Sequence, residues 1–174
     1  MKRLVAIVLL LCTSISHAGE TPQSTIAEYD AALIAEDWKV AASMVHASDL
    51  VRIRKEFEKL LDLEEFAAIQ HKYFGDSTRE ELRALDDAGF YARVLAALHG
   101  QGNARNSRLI ESRVIGAVFD GDTTAYVVSR TRMSLLDVSV EATKLAEARR
   151  VGNDWFVATA QDLESIVAVA ERWN

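Results

Sequence analysis

Residues Val114 to Met133 read VIGAVFDGDTTAYVVSRTRM, and the class of the fold turns on how this stretch is parsed. β-Branched and aromatic residues crowd both ends, with Asp120-Gly121-Asp122 between them. That is the signal for two antiparallel strands and a tight turn, because glycine supplies the positive φ such a turn requires. The pattern extends outward. SRLIESRVIGAVF lengthens the first strand, and SVEATKLAEARRV with WFVATAQ flank Gly152-Asn153-Asp154 as a second hairpin. Side chains alternate along a strand, so Tyr126, Val128, Arg130 and Arg132 share one face, and Ala125, Val127, Ser129 and Met133 the other. Two readings follow for the arginines. They dress the solvated outside of a sheet, with their stems along it, or Arg130 meets an acidic ligand at a pocket rim.

Upstream the apolar spacing is helical. Thr25 and Glu28 read as a capping box, with Ile26, Tyr29 and Leu33 as an apolar stripe. Trp38, Ala42 and Val45 continue it after a bend near Glu36-Asp37. Ser48 reads as the cap of a helix carrying Leu50, Ile53, Phe57 and Leu60. Gly75 closes the next helix, Ser77 and Glu80 form a second box, and Phe90, Val94 and Leu98 mark one more helix. GQGNARNS (100–107) is a loop between a helical half and a strand half. DLESIVAVAERWN (162–174) predicts a C-terminal helix with Leu163, Ile166, Val167, Ala170 and Trp173 on one face. Helices followed by antiparallel strands imply an α+β domain with helices on one face of the sheet.

The chain has 174 residues, and MKRLVAIVLLLCTSISHA (1–18) has the three-part layout of a secretory signal peptide. Its apolar run, Leu4 to Cys12, falls short of the roughly 20 residues a membrane span needs. Cleavage is expected after Ala18, which implies export, most simply to a periplasm. Lipidation at Cys12 is the lesser alternative, since Leu11 stands where that signal wants a small residue. Residues 19–24 read as a lead-in holding the single proline, Pro22, and 25–174 as one domain. Removing Lys2 and Arg3 takes the 20 basic residues against 26 acidic ones to a net charge of about −8. Nucleic acids and anionic membranes reward basic patches, so neither is an expected partner. With no cysteine after Cys12, the core must hold the domain without disulfides.

The helix IAEYDAALIAEDWKVAASMVH, the hairpin VIGAVFDGDTTAYVVSRTRM and the segment EARRVGNDWFVATA together resemble the NTF2-like superfamily, in particular its small secreted bacterial members. The resemblance covers most of residues 24–160 and rests on the order of elements, not on a catalytic signature. It implies a strongly curved antiparallel sheet wrapped around N-terminal helices as a cone with a pocket. Sheet-paired homodimers are also implied, unless the added C-terminal helix covers the sheet. The family includes isomerases, dehydratases and hydrolases beside proteins with no catalysis, so fold leaves function open.

Chemical motifs are sparse. His46, His71 and His99 stand far apart and make no zinc pattern. No G-x-S-x-G is present. The Ser43/His46 and His46/Asp49 pairs have only the spacing that chance gives, and phosphate-binding loops are missing. No cofactor is implied. The parts for isomerase-type chemistry would be Tyr29, Asp30, Asp49 and Tyr126, a carboxylate base with a tyrosine donor, although Asp30 reads as pointing away from Tyr29's side. The expectation is non-catalytic binding of a small molecule, or protein association through a sheet face, with the pocket enzyme as the alternative. Candidate ligand-binding residues are Trp38, Tyr126, Arg130 and Trp155, the two tryptophans also being suited to the core.

Overall fold

The computed structural model describes residues 19–64, 66–99, 107–135 and 138–159. The signal-peptide stretch, the 100–106 loop and the expected C-terminal helix lie outside the described residues.

Among the described residues, six helices precede four strands. Helix α1 (Pro22–Ile34) starts three residues earlier than Thr25, on a different box: Thr21 is the N-cap and exchanges hydrogen bonds with Ser24. Pro22 occupies the first turn, where its missing N–H costs nothing. The bend after α1 is made by Glu36, whose φ of 59° lies in the left-handed region. Asp37 then caps α2 (Trp38–Ser43) by accepting from the Val40 N–H. His46, not Ser48, caps α3 (Ala47–Leu61), accepting the Ser48 N–H at Nδ1. Leu50, Ile53, Phe57 and Leu60 form its buried stripe. Helix α4 (Phe66–Phe74) is followed by Gly75 at φ 63°. The next box uses Thr78 and Glu81, one residue along from the expected pair, and opens α5 (Arg79–Ala84). Helix α6 (Asp87–His99) packs against α2, α3 and α4. The rings of Phe57, Phe74 and Phe90, all fully buried, meet mostly edge to face in the middle of this helical layer.

Strands β1 (Ser107–Asp120), β2 (Thr124–Leu135), β3 (Val138–Val151) and β4 (Asp154–Ala158) form one antiparallel sheet in the order β1-β2-β3-β4. Gly121 and Gly152 take positive φ in the two hairpin turns. Helix α1 lies on the inner face and touches all four strands. The inner face carries Ala125, Val127, Ser129 and Thr131 of β2, all buried, opposite Ala148, Ala146, Lys144 and Ala142 of β3.

The NTF2-like cone is not what these strands build. The sheet is open, with β1 and β4 at its two ends, and it does not curl into a cone. The physical reason lies in the ladder. Strands β2 and β3 pair without interruption from Thr124↔Arg149 to Leu135↔Val138, and the only register breaks are in β1, around Ile110 and Ile115. Bulges and glycine kinks in the central strands are what bend a sheet sharply, and this central hairpin has none. Strand β4 also stops after five residues, level with Glu147, and leaves β3 from Val138 to Ala146 without a β4 partner.

Candidate functional site

The inner face of β3 is nearly bare of bulk: Ala142, Ala146 and Ala148 alternate with outward residues, and Lys144 is the one long side chain among them. Helix α1 covers the sheet, but beside it α6 and β3 line a partly open cavity of about 460 Å³. Tyr29, Leu33 and Glu36 of the α1 segment, Trp38 of α2, and Tyr91, Leu95, Leu98 and His99 of α6 form its helical wall. Leu109, Thr131, Met133 and the run Ala142–Glu147 form the sheet wall. Thr143, Leu145 and Glu147 belong to the outer face by register and also line the cavity, beside the stretch of β3 that β4 does not pair.

Polar groups gather on one part of this surface. Asp30, fully buried on α1, accepts hydrogen bonds from Lys144 Nζ at 2.7 Å and Ser112 Oγ at 2.6 Å, one on each carboxylate oxygen. Asp30 therefore points into the sheet, contrary to the sequence reading. A carboxylate with no exposure needs such partners, since an unpaired buried charge is costly. The Lys144 ammonium lies 5.6 Å from the centroid of the Tyr29 ring, a cation–π arrangement. The Tyr29 hydroxyl meets that of Tyr91 at 3.2 Å. Thr159, just past β4, is anchored through its N–H to Asp49 Oδ2 at 3.0 Å. Asp49 also receives Arg149 at 3.3 Å. The Arg149 guanidinium is held in its charged form by its hydrogen bond to Glu147 and by Asp49, which raise its pKa. This clasp leaves the Thr159 hydroxyl on the cavity wall, buried and without a hydrogen-bond partner. Ser129 Oγ, next to Lys144 on the inner face, is likewise buried and unpartnered.

At the far rim Arg108 lies 3.4 Å from Glu36, the residue in the strained bend. His99 stacks on Trp38 with ring centroids 6.3 Å apart. Its ring keeps an exposed edge, and the protein around the remainder lowers its pKa by desolvation, favouring the neutral imidazole.

The four residues singled out from the sequence are dispersed. Trp38 lines the cavity. Tyr126 and Arg130 stand on the opposite face of the sheet, Tyr126 between Val118 and Glu147, Arg130 between Arg113 and Thr143. Trp155 is buried in the core, where its ring meets Phe119 with centroids 5.9 Å apart. Lys144, Tyr91 and Thr159 escaped the sequence reading. The alternation of three alanines with a single lysine in EATKLAEA was the available signal, because a small-residue strand face under a helix leaves room. Among the described residues no group of three or more His, Cys, Asp or Glu side chains is arranged to hold a metal. No described helix is long and apolar enough to cross a membrane.

Searches of the chain against protein-family models, curated proteins and solved structures find no match.

Proposed function

We propose that this is an exported binding protein that holds a small amphipathic molecule, without catalysis, in the cavity between α6 and β3. The observation that carries the reading is the division of the cavity wall. Leu33, Leu95, Leu98, Leu109 and Met133 supply an apolar lining, while Lys144, Tyr29, Tyr91 and the unpartnered Thr159 hydroxyl supply convergent polar groups. A concave apolar pocket with a few placed polar groups is the usual form of a small-molecule site. The catalytic alternative has its parts in Asp30, Tyr29 and Tyr91. Yet a general base needs an oxygen within reach of a substrate proton, and both Asp30 oxygens are engaged by Lys144 and Ser112.

Native mass spectrometry of the protein purified from its host's periplasm tests this. A co-purifying small molecule that is lost from an Ala146→Phe variant of unchanged fold is the expected result. A bare protein that also fails to bind any compound of an amphipathic panel would overturn it. The outer sheet face supports a second reading, homodimerisation, because Val118, Leu145 and Ile115 are 67, 65 and 55% exposed there. Dimer mass in the same experiment, abolished by Leu145→Lys, is the expected signature.

A further inference from the structure

The ladder of β3 shows which of its main-chain groups are engaged. Arg150 donates its N–H to the Thr123 carbonyl at 2.8 Å, and in an antiparallel pair such bonds recur at every second residue. The even-numbered residues of β3 therefore direct N–H and C=O toward β2. The odd-numbered ones direct theirs to the other side, where Val151, Arg149 and Glu147 meet Asp154, Phe156 and Ala158 of β4. Beyond Glu147 no described strand continues. Leu145, Thr143, Glu141 and Ser139 thus each offer an N–H and a C=O to the sheet edge.

The side chains of all four are exposed. An unpaired edge of this kind is a template for another strand, and proteins guard such edges with proline, bulges or charge. This stretch holds no proline and no bulge. Its one lysine, Lys144, is turned inward and answered by Asp30. The cavity lies along the same stretch, since Ala142 to Glu147 belong to its wall. A strand added here continues the position that β4 holds beside β3. Its residues opposite Ala142 and Ala146 share the inner face with them, toward the cavity that Leu95 and Leu98 of α6 also line. The two alanines leave room for those side chains. The end of the added strand nearest β4 meets Thr159, whose buried hydroxyl has no partner.

We infer that the site takes an extended peptide as an added strand, its main chain hydrogen-bonded to β3 between Ser139 and Leu145 and alternate apolar side chains turned into the cavity. This rests on the binding reading above and names its class of ligand.

The test is amide hydrogen exchange, read by NMR, with a panel of blocked hexapeptides. In these, threonine alternates with alanine, valine, leucine or phenylalanine. In the free protein Thr143 and Leu145 are expected to exchange fast, and Ala142 and Lys144, bonded to β2, slowly. Saturating peptide is expected to slow Thr143 and Leu145 about tenfold or more. Only one alternating set of peptide amides faces β3, so N-methylation of that set is expected to bind about tenfold more weakly than N-methylation of the other. Thr143→Pro, which removes an N–H from the free edge and none from the β2 ladder, is expected to weaken binding about tenfold. The N-methyl comparison needs no variant and stands if Thr143→Pro fails to fold.

Slow exchange at Thr143 and Leu145 in the free protein would overturn the inference, because the edge would already be paired by another part of this chain or by a second copy. Equal binding of the two N-methylated peptides would overturn it as well. An amphipathic compound that binds while every peptide fails would overturn the peptide class and leave the small-molecule site. Failure of peptides and compounds alike would overturn both readings.

Discussion

The two faces of one sheet have been built on different rules. On the inner face β3 presents Ala142, Ala146 and Ala148 with Lys144 turned inward to Asp30, and β2 presents Val127, Ser129 and Thr131 under cover of α1. On the outer face the same strands present Leu145, Tyr126, Arg130 and Arg132, with Val118 and Glu111 beside them on β1. In the middle of β3 the larger apolar side chain, Leu145, is outside and the alanines are inside. A face that packs only to fill a core would be the reverse. Small residues inside are what make room for α1 and for the cavity, and the charged pair inside is tolerable because each partner satisfies the other.

That contrast can be broken experimentally. The largest effect is expected from Asp30→Ala, which strands Lys144 against the inner wall. Removing one partner of such a pair costs about 3 kcal/mol, at the low end of the range because Lys144 keeps some exposure. Urea unfolding of Asp30→Ala beside Asp30→Asn measures it, and an unchanged midpoint in both would show that the pair is not structural. Next comes Val127→Ala on the inner face, expected to cost about 2 kcal/mol by opening a cavity in a fully buried site. Val118→Ala, one strand away on the outer face, should stay within about 0.5 kcal/mol. Equal losses from the two valines would mean that the outer face is covered in solution.

Smaller still is Arg132→Ala. It removes the pair with Glu111, both half exposed, and about 0.5 kcal/mol or less is expected. The subtlest test uses pH. Because burial lowers the pKa of His99 below its unfolded value near 6.5, the unfolded chain binds a proton first as pH falls. Stability should therefore be fully present above pH 6.5 and decline as pH drops through that value toward the lower folded pKa. His99→Gln should flatten this part of the melting-temperature profile relative to the wild type, and identical profiles would exclude His99 as its source.

Much of the architecture could be read from local pattern. The stripe Leu50, Ile53, Phe57 and Leu60 is buried as its spacing implied. The turns at Gly121 and Gly152 fall where a positive φ was needed, and the bend at Glu36 lies where the apolar register changed. Helix caps slipped by one to four residues because Thr21, His46 and Thr78 competed with equally good neighbouring caps. The site was far less legible. Adjacency on one helix separates Asp30 from Tyr29's side, yet Asp30 turns to the sheet because Ser112 and Lys144, more than eighty positions downstream, offer it partners. Tyr126 and Arg130 looked like site residues only while the covered face of the sheet was unknown.

Sequence by itself determined the elements, their order and the α+β class, since periodicity, caps and turn residues act between near neighbours. Tertiary structure alone decided how far the sheet would bend, which of its faces the helices would cover, and that β4 would end level with Glu147. Those outcomes rest on contacts between distant segments: α1 against four strands, Asp49 against Thr159, Asp30 against Lys144. The cavity exists because Ala142 and Ala146 on β3 leave room beside α1 and α6, and no local rule acting on either segment could say that they would meet.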